Sequence, residues 1–241
     1  MLFRSPAKRF QHRAALRALR TCLRTHAASQ QPKVWQSLIF YHVGLLDEAY
    51  DCLTESLQAS PNDPLMFNTF GQVAFCRGDY ENAEQQFENS LSADPVGIWG
   101  NLWAPTAPLY RNDLERAEAK IQAGLKLFPA DPMLSGCEAL LWAKRGERQK
   151  ARQASLRAVK GKALIHTHHV WHLLAAAHVV LGEPMRAIAL LRNASNFGLP
   201  NYPLFRDDPH LHSLTTYPQY LRLLSDLRRK WGVYKRDFGK T

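Results

Sequence analysis

The stretch that decides the fold is PLMFNTFGQVAFCRGDYENAEQQFENSLSADP, residues 64–95. Its apolar residues recur at steps of three and four, which is the spacing of one buried helix face. Pro64 suits the first turn of a helix, where its missing N–H would have no partner in any case. Gly78-Asp79 is a turn signal in the middle of the stretch, and Pro95 ends it. The stretch therefore predicts two helices joined by a tight turn.

The same pattern recurs along the chain with a period of 34 residues. One position of the pattern is always alanine, at Ala15, Ala49, Ala83, Ala117 and Ala151. Five residues earlier lies a turn position, occupied by Gly44, Gly78, Asn112 and Gly146. A further copy fits after a two-residue insertion and carries Gly182, Ala187, Leu191 and Ala194. Agreement of several positions at one period indicates a repeated helix–turn–helix unit, and such units must stack to bury their apolar faces.

Residues 64–95 resemble the tetratricopeptide repeat, and the matching positions are Phe67, Phe70, Gly71, Gly78, Tyr80, Ala83, Phe87 and Pro95. The resemblance covers about residues 30–200 and implies an all-α fold, a right-handed α-solenoid of helix–turn–helix units. We expect five units, at 30–63, 64–97, 98–131, 132–165 and 168–201. Residues 202–241 are expected to form a capping tail, whose amphipathic helix uses Tyr220, Leu221, Leu224, Leu227 and Trp231 as its apolar face.

Two units depart from the pattern. Pro105 and Pro108 fall inside the first helix of the third unit, so we expect that helix to be kinked, shortened or irregular. Its aromatic residues should fill the space a regular helix would occupy or, alternatively, line a ligand pocket; they are Trp99, Trp103 and Tyr110. In the fourth unit Ser155 replaces a large apolar residue, and Leu156 is expected to compensate.

The resemblance also implies where a partner would bind. Such repeats usually bind peptides or partner helices in a concave groove lined by the first helix of each unit. In this chain that surface comprises Val34, Leu38, Tyr41, Asn68, Gln72, Phe75, Cys76, Met133, Leu140, Lys144, His169 and His172. We do not expect a clamp for the acidic tails of chaperones, because its basic and amide positions correspond to Val34, Leu38 and Thr69.

No motif for catalysis is found. The sequence has no phosphate-binding glycine loop, nucleophile elbow or paired carboxylates, so we expect a non-enzymatic chain without a cofactor. His168 and His172 are one helical turn apart, a spacing that can bind zinc, but no acidic residue lies nearby as a third ligand. The repeat register places Trp171 and Leu174 in the core. We therefore expect His168, His169 and His172 near an exposed face, without a metal.

Composition and charge narrow the class of protein further. The chain has 241 residues and four widely spaced cysteines, and no apolar run approaches the roughly 18 residues that span a membrane. We expect a cytoplasmic protein. The net charge is +10, but the excess lies in residues 1–33 and 222–241. Nucleic-acid binding through these ends and the basic stretch 144–162 is an alternative to protein binding.

The two ends carry their own predictions. Residues 1–29 are basic and the first 26 resemble a mitochondrial presequence, yet Ala15, Leu19 and Cys22 keep the repeat register. We expect the second helix of a truncated repeat with an uncovered apolar face, in a fragment whose residues 1–5 are an artefact. Residues 202–231 resemble the C-terminal end of repeat regions in bacterial signalling proteins, namely serine/threonine kinases, cyclases and winged-helix regulators. This implies the C-terminal regulatory part of such a protein or, alternatively, the sensor end of a kinase or cyclase.

Overall fold

A computed structural model describes residues 11–25 and 31–240, and within these residues it contains helices and no strand. The helices are α1 (His12–Thr25), α2 (Gln31–His42), α3 (Leu46–Ala59), α4 (Pro64–Cys76), α5 (Tyr80–Ala93), α6 (Ile98–Trp103), α7 (Thr106–Tyr110), α8 (Leu114–Leu127), α9 (Pro132–Lys144), α10 (Arg148–Lys160), α11 (Thr167–Val180), α12 (Pro184–Asn196), α13 (Tyr202–Asp207) and α14 (Pro218–Phe238). A 3₁₀ helix, Pro209–Thr216, lies between α13 and α14.

From α2 to α12 the helices pair as successive hairpins that stack into a solenoid, as predicted. Each predicted unit contains one hairpin, while the unit boundaries remain predictions. The turn positions have left-handed backbone conformations, with φ between +75° and +81° at Gly44, Gly78, Gly146 and Gly182. Asn112 adopts the same conformation with φ +63°. Glycine enters this region without steric cost and asparagine at a small one, which is why the sequence places these residues there.

Small residues set the distance between the two helices of a hairpin. The repeated alanines Ala49, Ala83, Ala117, Ala151 and Ala187 have no exposed surface. At Gly71 a Cβ atom would collide with the ring of Phe87, which is also fully buried. The column of small side chains thus lets large neighbours such as Phe87 pack between backbones.

The irregular third unit has the predicted form. Its first helix is divided into α6 and α7, and Ala104 and Pro105 lie between them. Trp103 and Tyr110 are buried and Trp99 is half-buried, so these aromatic residues fill space in the core. A proline ring clashes with the preceding turn of a helix, which explains the break.

The expectation for the fourth unit is wrong. Ser155 is buried, but Leu156 is 49% exposed and does not compensate for it. The space beside Ser155 is instead taken by His178, whose Nε2 lies 3.0 Å from the serine hydroxyl. His178 also contacts Glu183, with 2.8 Å between Nδ1 and Oε2. A series of polar contacts from Ser155 through His178 to Glu183 therefore replaces the apolar contact that the repeat pattern predicts.

The two ends of the solenoid meet. Arg13 forms an ion pair with Asp237, and Arg20 donates to the backbone oxygen of Asp237 at 2.9 Å. These cations lie where the negative end of the α14 dipole favours them. Leu16 of α1 is fully buried, so the prediction of an uncovered apolar face is wrong for this residue. The suspected artefact, residues 1–5, lies outside the described residues, and the assignment of 1–29 to a truncated repeat stays a prediction.

The capping helix α14 is present, and of its predicted apolar face only Leu221 is exposed. Tyr220, Leu223 and Leu227 are buried, whereas Leu221 is 49% exposed. Half-buried Trp231 donates its indole N–H to the backbone oxygen of Gly44 at 2.9 Å, which fixes α14 against the turn after α2. None of the described helices combines the length and hydropathy that crossing a membrane requires.

Candidate functional site

The predicted binding residues do converge on one face. Those lining a common enclosed cavity are Tyr41, Gln72, Phe75, Cys76, Met133, His169 and His172. The cavity has a volume of about 10 Å³, which is room for about one water molecule. Asn68, Val34, Leu38 and Leu140 are buried as well, and Lys144 is half-buried. The first helices thus face one another, but their face is packed and is not an open groove.

This face of the first helices was predicted to be the concave groove, and we call it the concave face. It is covered by residues 199–216, which we call the closing segment. Leu199 and Leu204 line the same cavity as the predicted residues. The side-chain amide of Asn201 donates to the backbone oxygen of Tyr41 at 2.6 Å. Its Oδ1 accepts from the backbone N–H of Leu204 at 3.0 Å, which caps α13. A single buried asparagine therefore starts α13 and holds it against α2.

Asp208 is the second anchor of the closing segment. This buried carboxylate accepts from the Tyr110 hydroxyl at 2.8 Å and lies 2.8 Å from Nε2 of His172. Burial by itself would raise the pKa of Asp208, but its contacts with His172 and His210 outweigh burial and hold that pKa well below its usual range. Asp208 therefore remains ionised near neutral pH and joins the closing segment to α7 and α11.

Some buried polar groups of the first helices lack partners. Both amide atoms of Asn68, Oε1 of Gln72 and the hydroxyl of Ser135 are buried and form no hydrogen bond to the described residues. A buried polar atom without a partner costs about 1–3 kcal/mol unless water or a ligand satisfies it. Asn68 and Gln72 were predicted from the repeat register, whereas nothing in the sequence singled out Ser135. Of the three residues, Gln72 lines the cavity, and its Oε1 can accept a hydrogen bond from an added group.

The prediction of exposed histidines is wrong. His168, His169 and His172 are only 2%, 6% and 4% exposed, because α11 faces α2 and the closing segment. His172 is paired with Asp208, while His168 and His169 meet His42 at the end of α2. Sequence reasoning missed His42, because no local motif links residues so far apart in the chain. Of the two predicted core residues, Leu174 is fully buried and Trp171 only partly.

An open groove, which we call the outer groove, lies between α3 and α5. Its volume is about 480 Å³, and it is lined by Tyr50, Thr54, Leu57, Gln58, Pro61, Phe70, Asn82 and Gln86. The rings of Tyr50 and Phe70 meet edge to face with 5.5 Å between their centres. The repeat register did not predict this groove, because it assigned partner contacts to the first helices alone.

The basic stretch 144–162 is largely used within the fold. Arg145 pairs with Glu118 at 2.8 Å, and Arg157 pairs with Glu138 at 2.9 Å. Arg152 pairs with Glu183 at 2.7 Å, so these cations connect neighbouring helices. Such pairing removes charge that a phosphate backbone would need. Nucleic-acid binding stays an alternative prediction that no contact in the described residues favours.

These hairpins and their stacking define the class: the chain has the tetratricopeptide-repeat fold. No family model matches it. The anaphase-promoting complex subunit cut9 of Schizosaccharomyces pombe is 24% identical over 199 residues, which cover 79% of this chain and 27% of that protein. The solved Cut9–Hcn1 hetero-tetramer gives a TM-score of 0.64 at 14% identity, covering 92% of this chain and 46% of the matched chain.

Two further solved structures have a similar fold. A thermophilic tetratricopeptide-repeat protein of Thermus thermophilus gives a TM-score of 0.58 at 20% identity and covers 82% of this chain and 100% of its own. The type IV pilus biogenesis factor PilW gives a TM-score of 0.57 at 16% identity, and the match covers 85% of this chain and 90% of the PilW chain. The present chain spans about a quarter of the length of cut9 and less than half of the Cut9 chain in the solved complex.

Proposed function

We propose that the chain is a non-enzymatic scaffold that binds a protein partner through its concave face. The observation that carries this proposal is the set of buried polar atoms without partners on the predicted groove residues Asn68 and Gln72, of which Gln72 lines the cavity. A peptide backbone offers a donor and an acceptor at every residue, which is the chemistry that these groups require. The similar fold of Cut9, whose solved structure is a complex with Hcn1, supports a protein as the partner.

Binding in this way requires a change in the closing segment, because it now covers the face. A tethered segment acts at an effective concentration in the millimolar range, so it competes strongly with a free partner. Asn201 and Asp208 are the polar anchors that hold it. Weakening them should therefore strengthen partner binding, although it weakens the fold itself.

The test compares peptide binding by the wild-type chain and by an Asn201→Ala/Asp208→Asn double variant. Each is screened against the same displayed library of random peptides. We expect the double variant to enrich peptides at least about tenfold more than the wild type. If the closing segment binds the face about 1.4 kcal/mol more weakly, the apparent affinity for a peptide rises by that factor. A synthetic peptide of residues 199–216 should displace them. Thr215→Ala, an exposed position of the same segment, is the matched control and should behave as the wild type.

Two further variants locate the binding surface on α4. Gln72→Ala removes a polar group of the concave face, while Phe70→Ala removes an aromatic ring of the outer groove. The proposal expects loss of peptide binding in the Gln72 variant and little change in the Phe70 variant. The reverse result would place binding in the outer groove and overturn the concave-face proposal.

A more specific origin rests on the tail alone. The resemblance of residues 202–231 to bacterial signalling proteins supports the proposal that the chain is the C-terminal regulatory part of such a protein, or the sensor end of a kinase or cyclase. Sequencing the gene upstream of residue 1 tests it. A kinase, cyclase or winged-helix domain in frame would support it, and unrelated sequence would reject it.

A further inference from the structure

Four histidine rings converge where the first and last hairpins of the array meet. His42 ends α2, while His166, His168 and His169 lie at the beginning of α11. One ring nitrogen from each of the four lies within 4.8 Å of the others. His42, His168 and His169 are buried, and His166 is half-buried. We call these four residues the histidine cluster.

The second nitrogen of two rings is already engaged. Nδ1 of His42 lies 2.5 Å from the backbone oxygen of Leu38, and Nδ1 of His168 lies 3.1 Å from that of Phe197. A carbonyl can only accept, so both rings carry their hydrogen on Nδ1 and leave a lone pair on Nε2. Metal-binding histidines typically donate the other ring N–H to a carbonyl in this way, which fixes the tautomer and the direction of the ring.

The spacing within the cluster suits a tetrahedral ion. Nε2 of His42 lies 3.2 Å from Nε2 of His169. Four nitrogens that each lie about 2.0–2.1 Å from one zinc ion are about 3.3–3.4 Å apart from one another. The wider pairs of the cluster reach 4.8 Å, so small side-chain rotations would complete the site. We propose that His42, His166, His168 and His169 bind one Zn²⁺ or a chemically similar late first-row divalent ion.

The state of the rings agrees with such a site. Burial lowers the pKa of His42, His168 and His169 well below the ordinary value, and it lowers that of His166 as well. The rings are therefore neutral at pH 7, which is the form that coordinates metals. Imidazole ligands select zinc, copper or nickel and not magnesium or calcium, which prefer oxygen.

Tyr41 is at present a hydrogen-bond partner of one nitrogen of the histidine cluster. Its hydroxyl lies 3.1 Å from Nε2 of His169, and burial keeps the pKa of Tyr41 well above its usual range, so the hydroxyl stays protonated. An ion bound to His169 would take the nitrogen lone pair and release this hydroxyl to another acceptor. Because His42 and His169 belong to opposite ends of the array, one bound ion would tie α2 to α11.

The test uses the untagged chain of 241 residues, first treated with chelator and then titrated with Co²⁺. Tetrahedral Co²⁺ absorbs visible light far more strongly than hexa-aqua Co²⁺, so the spectrum reports the ligand geometry. We expect one strongly absorbing Co²⁺ per chain and its displacement by one equivalent of Zn²⁺. A second readout is thermal unfolding, whose midpoint should rise with added Zn²⁺.

Two ligand variants and one control identify the site. Loss of an outer-shell partner costs about 10–100-fold in metal affinity, so loss of a ligand in His42→Gln or His169→Gln should cost at least about 100-fold. His212→Gln, at an exposed histidine outside the histidine cluster, should leave the affinity unchanged. Circular dichroism shows whether each variant is folded; if a ligand variant is not, the wild-type spectrum and stoichiometry decide.

Two outcomes would overturn the proposal. The first is the absence of a tetrahedral Co²⁺ spectrum in the wild type, which would make the histidine cluster a neutral hydrogen-bonded core. The second is equal affinity in a folded His42→Gln variant, which would place the ion elsewhere. Neither outcome depends on whether a peptide binds the concave face, so the site is tested independently of the proposed function.

Discussion

The hydroxyl of Tyr110 donates a hydrogen bond to the carboxylate of Asp208 at 2.8 Å, and both groups are buried. Tyr110 belongs to the helix that two prolines interrupt, and Asp208 belongs to the closing segment. The most irregular unit of the array therefore provides one of the anchors of the closing segment. The ring of Tyr110 also packs edge to face on Phe75 of α4, with 4.5 Å between the centres.

Tyr110→Phe should lower the free energy of unfolding by about 1.5–3 kcal/mol, because it removes a hydrogen bond to a charged acceptor and keeps the ring. Urea denaturation followed by circular dichroism measures the change. Tyr50→Phe is the control, since that ring is 42% exposed, and it should cost less than about 0.5 kcal/mol. Equal effects in the two variants would show that the hydrogen bond to Asp208 adds no measurable free energy of unfolding.

Gly71→Ala should destabilise the chain by about 1–3 kcal/mol, because the added methyl group meets the buried ring of Phe87. Gly232→Ala in α14 is a matched control. There a Cβ meets nothing within 4 Å, so alanine should stabilise the helix by about 0.5–1 kcal/mol. Thermal unfolding of both variants checks the opposite signs. An unchanged midpoint for Gly71→Ala would mean that α4 and α5 can move apart without cost.

Local features of this fold could be predicted from the sequence, because each repeats. The 34-residue period placed Gly78 in a turn and repeated a small residue at Ala83; the structure confirms the turn and buries the alanine completely. Each of them depends on contacts within one hairpin or between adjacent hairpins.

Contacts between distant hairpins could not be predicted. The approach of His42 to His169 depends on how far the solenoid has turned after several hairpins, and no single repeat encodes that curvature. For the same reason the concave face was expected to be open, whereas the closing segment fills it. Ser155 shows a smaller failure of the same kind, since the repeat pattern expects an apolar residue and His178 supplies a polar partner instead.

Substitutions at Asn112 test whether the left-handed backbone determines which residue occupies the turn. Asn112 stands at a position where the other turns have glycine. Asn112→Val should destabilise the chain by about 1–2 kcal/mol, because a β-branched residue strongly disfavours φ +63°. Asn112→Gly should be tolerated, since it keeps the conformation and loses only the contact of Oδ1 with Lys144 at 3.2 Å. Chemical denaturation of both variants measures the difference. Similar losses would mean that the contact with Lys144, and not the backbone, determines the choice of asparagine.

Acidification should open the junction between the ends of the solenoid, and His12 allows one part of this effect to be measured. His12 is 3% exposed and its Nε2 lies 3.2 Å from the backbone oxygen of Gly198. Burial lowers the pKa of His12 from about 6.5 to about 4. Its unfolded form therefore binds a proton at a higher pH than the folded form does.

Stability from His12 is fully present above pH 6.5 and is lost as the pH falls toward 4, by about 1.4 kcal/mol per pH unit. The total over this range is about 3 kcal/mol. His12→Gln keeps a donor for Gly198 but has no proton to gain, so its stability should fall less steeply with pH. Urea denaturation between pH 7.5 and 4.5, with chelator present, measures both slopes. Equal slopes would show that His12 is already accessible to protons in the folded chain.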